Sequence, residues 1–354
     1  MKNIIVCCDG TANELTTPDK NSNVIQLFCM LLKDSSNTKQ VAYYDPGVGT
    51  RGYVQWMDGW DQATGWSVDE NVKQAYEFLM NFYEPDDRIF LFGFSRGAFT
   101  VRILSGLIAK SGLLYKRNEN LIEYAFKIFR QKDNDEQAKE FRANLSREVD
   151  ISFLGVWDTV SAMLHKATFN KLPRFFKDTM LSTHVQYACQ ALAIDDFRRS
   201  IFKPILWGPV EGLERMEQVW FAGAHSDVGG GYPEDAQGRR LARIALQWMV
   251  KRASQKGLLL DRSVDVNTLA FEEDALGDSN RPDKTLPWKL APFLNGPRPI
   301  PSAHPVRDRS QSLLPRLHES VIQRIQGRSD YQPTNLPSAY EVVNDEGEVI
   351  KTKP

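Results

Sequence analysis

The serine in Gly93-Phe94-Ser95-Arg96-Gly97 has the surroundings of a nucleophile. Ile89–Phe92 before it is continuously apolar and follows an acidic turn, which predicts a buried strand. Ala98–Leu114 after it has helical spacing and no proline. Ser95 therefore falls at a strand-to-helix turn, where two glycines leave room for a sharp bend that holds the hydroxyl clear of the sheet. The alternative is a chance match in a glycine-containing turn.

A histidine suited to activate this serine follows a later strand. Gln218–Ala224 is rich in β-forming residues, and His225 comes directly after it, just before Gly229–Gly231. A base in this position can reach a serine on a neighbouring strand. We expect the glycines to give the loop around the ring its conformational freedom. His318, in Leu317–Val321, is the alternative base.

An aspartate at the end of another apolar run supplies the third group of a catalytic triad. Val149–Val160 predicts a strand that ends near Asp158. Such a carboxylate orients the histidine and stabilises its imidazolium form. The alternative is a turn aspartate that caps the next segment. The chain order Ser95, Asp158, His225 is the order found in α/β-hydrolases.

Backbone N–H groups for an oxyanion hole are expected from two places. One is Arg96, whose N–H lies in the first turn of the predicted helix. The other is Gly10 or Thr11, in the turn that follows the predicted strand 2–8. That turn lies at the carboxyl end of a strand, the edge where open α/β sheets bind ligands.

Acidic and aromatic residues border this predicted site. Asp9 and Trp157 are expected to contact substrate, with a helix-capping role as the alternative for Asp9. We expect Asp227 to support its loop through an Asx-turn rather than hold a cation. A metal-assisted hydrolase using Asp9, Asp158, Asp227 and His225 is an alternative mechanism. No Cys/His cluster is present, so neither a metal nor a cofactor is expected.

The composition argues against several classes of protein. The 354 residues carry a formal net charge of -1, so no basic field attracts nucleic acid. No stretch of about 18 apolar residues is present to cross a bilayer, and the first apolar run is too short for a signal peptide. Four cysteines without a C-x-x-C pair suit free thiols in a reducing cytoplasm. A cytoplasmic protein is expected, and export by a signal-independent route is compatible with these features.

The fold that would bring these residues together is α/β-hydrolase-like, with a mostly parallel central sheet and helices on both faces. We expect a single catalytic domain over residues 1–325, in which 183–194 is helical and 281–325 wraps over the domain. Residues 161–182 form either a flap over the site or an ordinary loop. Residues 326–354 are polar and are expected to form a loose tail.

Five motifs in this order resemble an uncharacterised α/β-hydrolase domain family that includes the first group of type VI secretion lipase effectors. The resemblance extends over residues 3–325. It implies an α/β-hydrolase core, a triad of Ser95, Asp158 and His225, and phospholipase activity in the effector members. The motifs are Cys8-Asp9-Gly10-Thr11, Pro46-Gly47-Val48-Gly49-Thr50, Gly93-Phe94-Ser95-Arg96-Gly97-Ala98, Trp157-Asp158-Thr159-Val160 and His225-Ser226-Asp227-Val228-Gly229-Gly230-Gly231-Tyr232.

The expected function is hydrolysis of a small-molecule or lipid ester, with phospholipid among the candidates, through an acyl-enzyme on Ser95. The resemblance also implies peripheral membrane contact and a secretion-system or immunity partner, whereas nucleic acid is not an expected partner. A non-catalytic binding module on the same scaffold is the alternative from another class, because a fold does not determine a function.

Overall fold

The computed structural model describes residues 1–10, 20–33, 40–47, 63–131, 135–160, 181–199, 202–208, 215–285, 295–302 and 314–354. Within these ranges a mostly parallel sheet of nine strands is covered by helices on both faces, so the predicted α/β-hydrolase-like fold class is confirmed. Thr11 and nearly all of the predicted flap 161–182 lie outside the described residues.

Two sheets account for the described strands. In chain order the strands are β1 Asn3–Cys8, β2 Gln40–Asp45, β3 Arg88–Phe94, β4 Leu113–Leu114, β5 Ser146–Arg147, β6 Ile151–Trp157, β7 Ala188–Ala193, β8 Met216–Phe221, β9 Arg316–His318, β10 Tyr340–Val343 and β11 Val349–Lys353. The main sheet has the order β11-β10-β9-β8-β7-β6-β3-β1-β2, and β4 pairs with β5. Neighbours in the main sheet are parallel except β10 and β11.

Helices cover the main sheet on both sides. They are α1 Asn23–Met30, α2 Ala63–Phe82, α3 Arg96–Ser111, α4 Ile122–Arg130, α5 Asp135–Leu145, α6 His225–Gly229, α7 Ala242–Gln255 and α8 Glu319–Gly327. Alternate side chains of β1 enter different cores, as the two-residue period of a strand requires. Cys8 packs with α2 and α3, whereas Cys7 packs with α1 and α7.

The register brings the carboxyl ends of the central strands to one edge of the sheet. Phe94 of β3 is paired with Trp157 of β6, and Trp157 is paired with Ala191 of β7. The ladder continues one residue further, because Ser95 N–H donates to Trp157 O at 3.1 Å and Asp158 N–H donates to Ala191 O at 2.8 Å. Residues that follow these strands are therefore close neighbours.

The predicted helix at 183–194 is wrong, because residues 188–193 form β7. Alanine, glutamine and leucine in this segment favour a helix when taken alone. In the folded protein all six residues of β7 are buried between β6 and β8, and their backbone groups bond to both neighbours. Burial and sheet pairing thus override local propensity.

The predicted loose tail at 326–354 is also wrong. Residues 340–343 and 349–353 form the strands that complete one side of the sheet, and β9 of the predicted wrap 281–325 pairs with both β8 and β10. Tyr340 and Val342 pack in a buried cluster with Trp220. A few apolar residues in a polar segment were sufficient, since the other buried members of that cluster come from earlier in the chain.

Candidate active site

Ser95 occupies a strained turn between β3 and α3. Its backbone dihedrals are φ 57° and ψ -116°, an unfavourable region for a residue with a side chain. A Cβ on Gly93 would lie 2.5 Å from Gly97 O, and a Cβ on Gly97 would lie 2.0 Å from Cys8 O. The two glycines are therefore required by crowding, and the side chain of Ser95 remains partly exposed.

Ser95, His225 and Asp158 are in direct contact at the carboxyl edge of the sheet. Nε2 of His225 lies 2.8 Å from Oγ of Ser95, and Nδ1 of His225 lies 2.6 Å from Oδ2 of Asp158. His225 is 5% exposed and Asp158 is fully buried, so solvent reaches the group mainly at the serine. These distances are those of a nucleophile, a base and an orienting acid.

The ring of His225 is held by two aromatic side chains and by its own backbone. The Phe94 ring lies 4.7 Å from the imidazole, centroid to centroid, and the Phe202 ring meets it edge-on at 5.0 Å. His225 N–H donates to Oδ2 of the buried Asp196 at 3.2 Å. The imidazole is thus preorganised toward Ser95.

The expected loop freedom around His225 is wrong. His225 begins the short helix α6, and the glycines after it serve close packing instead. A Cβ on Gly229 would lie 2.0 Å from the ring of Phe94, and a Cβ on Gly230, which has φ 85°, would lie 2.6 Å from Asn23 N. The glycines let α6 approach β3 and α1, which fixes the histidine.

Asp158 is held by two groups besides His225, neither of which its sequence motif indicates. Oδ1 accepts from Ala193 N–H at 3.0 Å, and the guanidinium of Arg298 donates to Oδ1 at 2.7 Å and to Oδ2 at 2.9 Å. Burial alone would raise the pKa of Asp158, but the charge of Arg298 and the hydrogen bond from His225 outweigh burial and hold that pKa well below its usual range. The carboxylate is therefore ionised and can only accept hydrogen bonds.

Asp227 supports the turn that carries His225, although not through the expected Asx-turn. Oδ2 accepts from the N–H of Ala224 at 2.9 Å and from the N–H of Asn280 at 2.9 Å, while Oδ1 accepts from Nδ2 of Asn280 at 2.8 Å. Burial raises the pKa of Asp227 to about 6, and the hydrogen bonds from Asn280 and Ala224 only partly oppose it.

Asp227→Asn is expected to remove a pH-dependent loss of stability. Because the pKa of Asp227 is raised in the folded state, its stabilising contribution is present below the ordinary aspartate pKa and is lost as pH rises through about 6. The amide cannot ionise, so the variant should gain about 2–3 kcal/mol relative to the wild type between pH 4 and pH 7.5. Its NH2 group faces N–H donors that the carboxylate accepts from, which lowers stability by a similar amount at both pH values. Urea unfolding at both pH values measures the difference.

The control is Asp265→Asn, which replaces an exposed aspartate that caps a short helix by an equally good cap. It should leave stability unchanged at both pH values. If the difference in stability between the wild type and Asp227→Asn is the same at pH 7.5 as at pH 4, the raised pKa of Asp227 is contradicted.

The predicted oxyanion donors fare differently. Arg96 is the first residue of α3, so its N–H lies at the positive end of a helix directly after Ser95. Gly10 lies at the same edge, but its N–H donates to Oδ1 of Asp9 at 2.7 Å. Of the two predicted donors among the described residues, Arg96 lies at the expected place at the start of α3, and Gly10 N–H is bonded to Asp9.

Asp9 is an internal hydrogen-bond acceptor rather than an open substrate contact. The residue is 1% exposed, and its Oδ2 accepts from the hydroxyl of Tyr44 at 2.9 Å and from Ser22 Oγ. Ser22 in turn caps α1 by accepting from Ile25 N–H at 3.2 Å. Asp9 thus connects the N-terminus of α1 to the carboxyl edge of the sheet, a role closer to the alternative of helix capping than to substrate contact.

Trp157 is a core residue, so its expected substrate contact is not supported. Its side chain is fully buried, its Nε1–H donates to Ala245 O at 3.3 Å, and its ring lies 6.4 Å from that of Phe92. The signal that would have shown this is its place inside a strand covered on both faces.

The alternative base His318 is bound elsewhere. Its Nδ1 contacts Ser320 Oγ at 2.9 Å, its Nε2 contacts Oδ1 of Asp345 at 3.1 Å, and its ring stacks on Phe221 at 4.8 Å. Both ring nitrogens are therefore engaged, and His318 serves as the N-cap of α8.

The acids of the metal-assisted alternative do not converge. In the described ranges no three His, Cys, Asp or Glu side chains gather as a metal site would require. Asp9, Asp158 and Asp227 each face the protein donors given above. In the same part of the chain no helix combines the length and the apolar character needed to span a membrane.

A strand–serine–helix turn on a mostly parallel sheet, with histidine and aspartate at the same edge, defines an α/β-hydrolase-like protein. The profile of one family, described as "T6SS, Phospholipase effector Tle1-like, catalytic domain", matches residues 2–252. The chain belongs to this family, as the resemblance in the sequence indicated.

One relative and two solved structures are similar to this chain. "Uncharacterized protein YEL023C" of Saccharomyces cerevisiae is 32% identical over 250 residues, which cover 64% of this chain and 36% of the relative. The chain thus spans about a third of the length of that curated relative. A crystal structure of an uncharacterized protein from Pseudomonas aeruginosa superposes with a TM-score of 0.50 at 17% identity, over 77% of this chain and 49% of that one, which shows the fold alone.

The structure of the Tle1 effector bound to the VgrG spike from the type 6 secretion system is also similar. It has a TM-score of 0.47 and 16% identity, over 75% of each chain.

Proposed function

We propose that the chain is a lipase-type hydrolase that cleaves carboxylic esters through a triad of Ser95, His225 and Asp158. The observation that carries the proposal is the imidazole of His225, which bridges the serine hydroxyl and the buried carboxylate at 2.8 and 2.6 Å. Membership in a family of phospholipase-type catalytic domains supports the same reaction class.

The hydrogen-bond pattern assigns the starting protonation state. Because Asp158 is ionised, it can only accept, so Nδ1 of His225 carries the proton and donates it to Oδ2. In the neutral ring Nε2 then has no proton and accepts from the hydroxyl of Ser95. This is the tautomer that a general base needs.

The reaction proceeds in two halves. His225 removes the proton of Ser95 as Oγ attacks the ester carbonyl carbon, and the oxyanion is stabilised by the N–H of Arg96, with Gly10 or Thr11 as the expected second donor. The imidazolium gives its proton to the leaving alkoxide oxygen, which leaves an acyl group on Ser95. His225 then deprotonates a water molecule, which attacks the acyl carbonyl carbon. The bond to Oγ of Ser95 breaks, the imidazolium returns its proton to Oγ, and the acid is released.

Phospholipid is the proposed substrate class. The family is described by phospholipase effectors, and the aromatic rings of Phe94 and Phe202 give the imidazole of His225 an apolar border. A peripheral membrane contact and a secretion-system or immunity partner remain predictions from the family resemblance.

A pre-steady-state assay tests the acyl-enzyme. Purified protein mixed with excess p-nitrophenyl butyrate should release p-nitrophenol in a burst whose size scales with enzyme concentration, followed by a slower linear phase. Phospholipid vesicles should then yield free fatty acid. Turnover that is lost on chelation and restored by a cation would instead favour the metal-assisted alternative, and an inert protein would favour the binding module.

A further inference from the structure

Arg298 is the fully buried arginine that grips the carboxylate of Asp158. Its two terminal nitrogens donate to the two carboxylate oxygens at 2.7 and 2.9 Å, which is the bidentate geometry of a strong ion pair. Arg298 lies beyond residues 2–252, the part of the chain that the family profile matches. A residue from outside the matched catalytic domain therefore touches the orienting acid of the proposed triad.

Further contacts fix the guanidinium and its backbone. Nη1 of Arg298 also donates to Ala193 O at 3.0 Å. The carbonyl oxygen of Arg298 accepts from Nδ2 of Asn335 at 3.0 Å, and the same amide donates to Ile194 O at 3.0 Å. Arg298 is thus tied both to the end of β7 and to the segment that precedes β10.

The carboxylate of Asp158 receives a full set of donors. Ala193 N–H and Nη1 of Arg298 bond to Oδ1, while Nη2 of Arg298 and Nδ1 of His225 bond to Oδ2. These four hydrogen bonds come from three residues and together restrict the orientation of the carboxylate. That orientation directs Oδ2 at the imidazole.

Charge complements this geometry. A fully buried carboxylate without a cation would prefer its neutral form, and a neutral carboxyl group would no longer be a pure acceptor for His225. Within the described ranges, Arg298 and Asp196 act directly on the Asp158–His225 pair. Asp195 acts on Arg298, and Arg198 acts on Asp196. Arg198 is paired with Asp196, so Arg298 is the cation directed at Asp158.

We propose that Arg298 is a positioning residue, which holds Asp158 ionised and in the plane needed to orient His225. The inference rests on the proposed function, because it assigns Arg298 to the same reaction. It makes the segment after residue 252 a necessary part of the active site.

Arg298→Met tests whether the positive charge is needed, and Arg298→Lys tests whether the two hydrogen bonds of the planar guanidinium are needed. In Arg298→Met, kcat for p-nitrophenyl butyrate should fall about 10- to 100-fold with little change in KM. The acid limb of its pH–rate profile should move up by about 1 pH unit or more, because losing the cation favours protons on both members of the pair. Arg298→Lys keeps the charge, so its acid limb should stay near that of the wild type while kcat falls.

Arg324→Met is the matched control. Arg324 is 2% exposed, lies in the same carboxyl-terminal segment, and donates to the carbonyl oxygens of Ala275 and Gly277. Its loss should lower thermal stability without moving the acid limb. A shift of the same size in Arg324→Met would show that any lost buried arginine has this effect, and would overturn the proposal.

A double-mutant cycle tests whether Arg298 acts through Asp158. In an Asp158→Asn background, Arg298→Met should cause little further loss of kcat, because the charge that it positions is already absent. Losses that multiply, or an acid limb of Arg298→Met identical to that of the wild type, would overturn the proposal.

Proton NMR separates this inference from the proposed function. The short bond from Nδ1–H of His225 to Asp158 should give a far-downfield proton resonance in the wild type, which shifts or vanishes in Arg298→Lys and Arg298→Met but not in Arg324→Met. This result in a protein without esterase activity would refute the proposed function and retain the positioning role. A resonance unchanged by both Arg298 substitutions would refute the positioning role even in an active enzyme.

Discussion

Ser95→Ala is expected to abolish ester hydrolysis while the protein stays folded. The hydroxyl of Ser95 is the proposed attacking group, and no other nucleophile lies within reach of Nε2 of His225 in the described site. Loss of such a serine lowers kcat by at least about 10⁴-fold. Alanine keeps the Cβ and demands no new space at the strained turn, so the melting temperature should hold or rise. Initial rates on p-nitrophenyl esters and thermal unfolding by circular dichroism measure the two effects.

Ser105→Ala is the matched control for this substitution. Ser105 is a buried serine in α3, the helix that Ser95 precedes, and its hydroxyl is not part of the triad. It should leave kcat within a factor of about 2, since surrounding packing changes little. Comparable turnover by Ser95→Ala and the wild type would reject the serine mechanism.

His225→Ala and His318→Ala are expected to give opposite results. Removing His225 deletes the base that contacts Ser95, so kcat should fall by at least about 10⁴-fold. Removing His318 deletes the cap of α8 and a contact to Asp345, which should lower stability by about 1–3 kcal/mol and leave kcat nearly unchanged. Rates at saturating substrate and urea unfolding of both variants make the comparison.

The pair is informative because the two histidines are equally buried but differently connected. Retained activity in His225→Ala together with lost activity in a folded His318→Ala would show that His318, and not His225, is the base. Equal, large losses of activity in both variants, with both proteins folded, would show that the described contacts do not decide catalysis.

The strongest local signals in the sequence were sufficient for the fold class and for the turn at Ser95. The apolar run, the glycine-flanked serine and the helical pattern together predict a strand, a turn and a helix. The observed β3 and α3 agree with this prediction. Since parallel strands end at one edge, the segments after β6 and β8 could be expected there as well. The closeness of Asp158 and His225 to Ser95 follows from that rule.

Elements whose structure depends on distant residues were not predictable in this way. β7 has the composition of a helix and becomes a strand because β6 and β8 occupy both sides. β10 and β11 lie in a polar segment whose buried apolar residues are Tyr340, Val342 and Val343, and these pack on residues from earlier in the chain.

The contact of Arg298 with Asp158 could not be predicted from the sequence for the same reason. It is separated from Asp158 by 140 positions and stands in a segment where arginine and proline recur without a period. Trp157 was predicted to contact substrate because it lies beside the predicted catalytic acid. Its side chain is instead fully buried in the core. Thr11 and the flap predicted at 161–182 stay predictions.

Labelling with a fluorophosphonate probe tests the central claim most directly, because the probe bonds only to a serine whose oxygen is activated by a neighbouring base. Peptide mass spectrometry of the wild type should find the adduct on Ser95, and His225→Ala should be unlabelled under the same conditions. A folded wild-type protein without an adduct, or an adduct that persists on Ser95 after His225 is removed, would contradict the proposed triad.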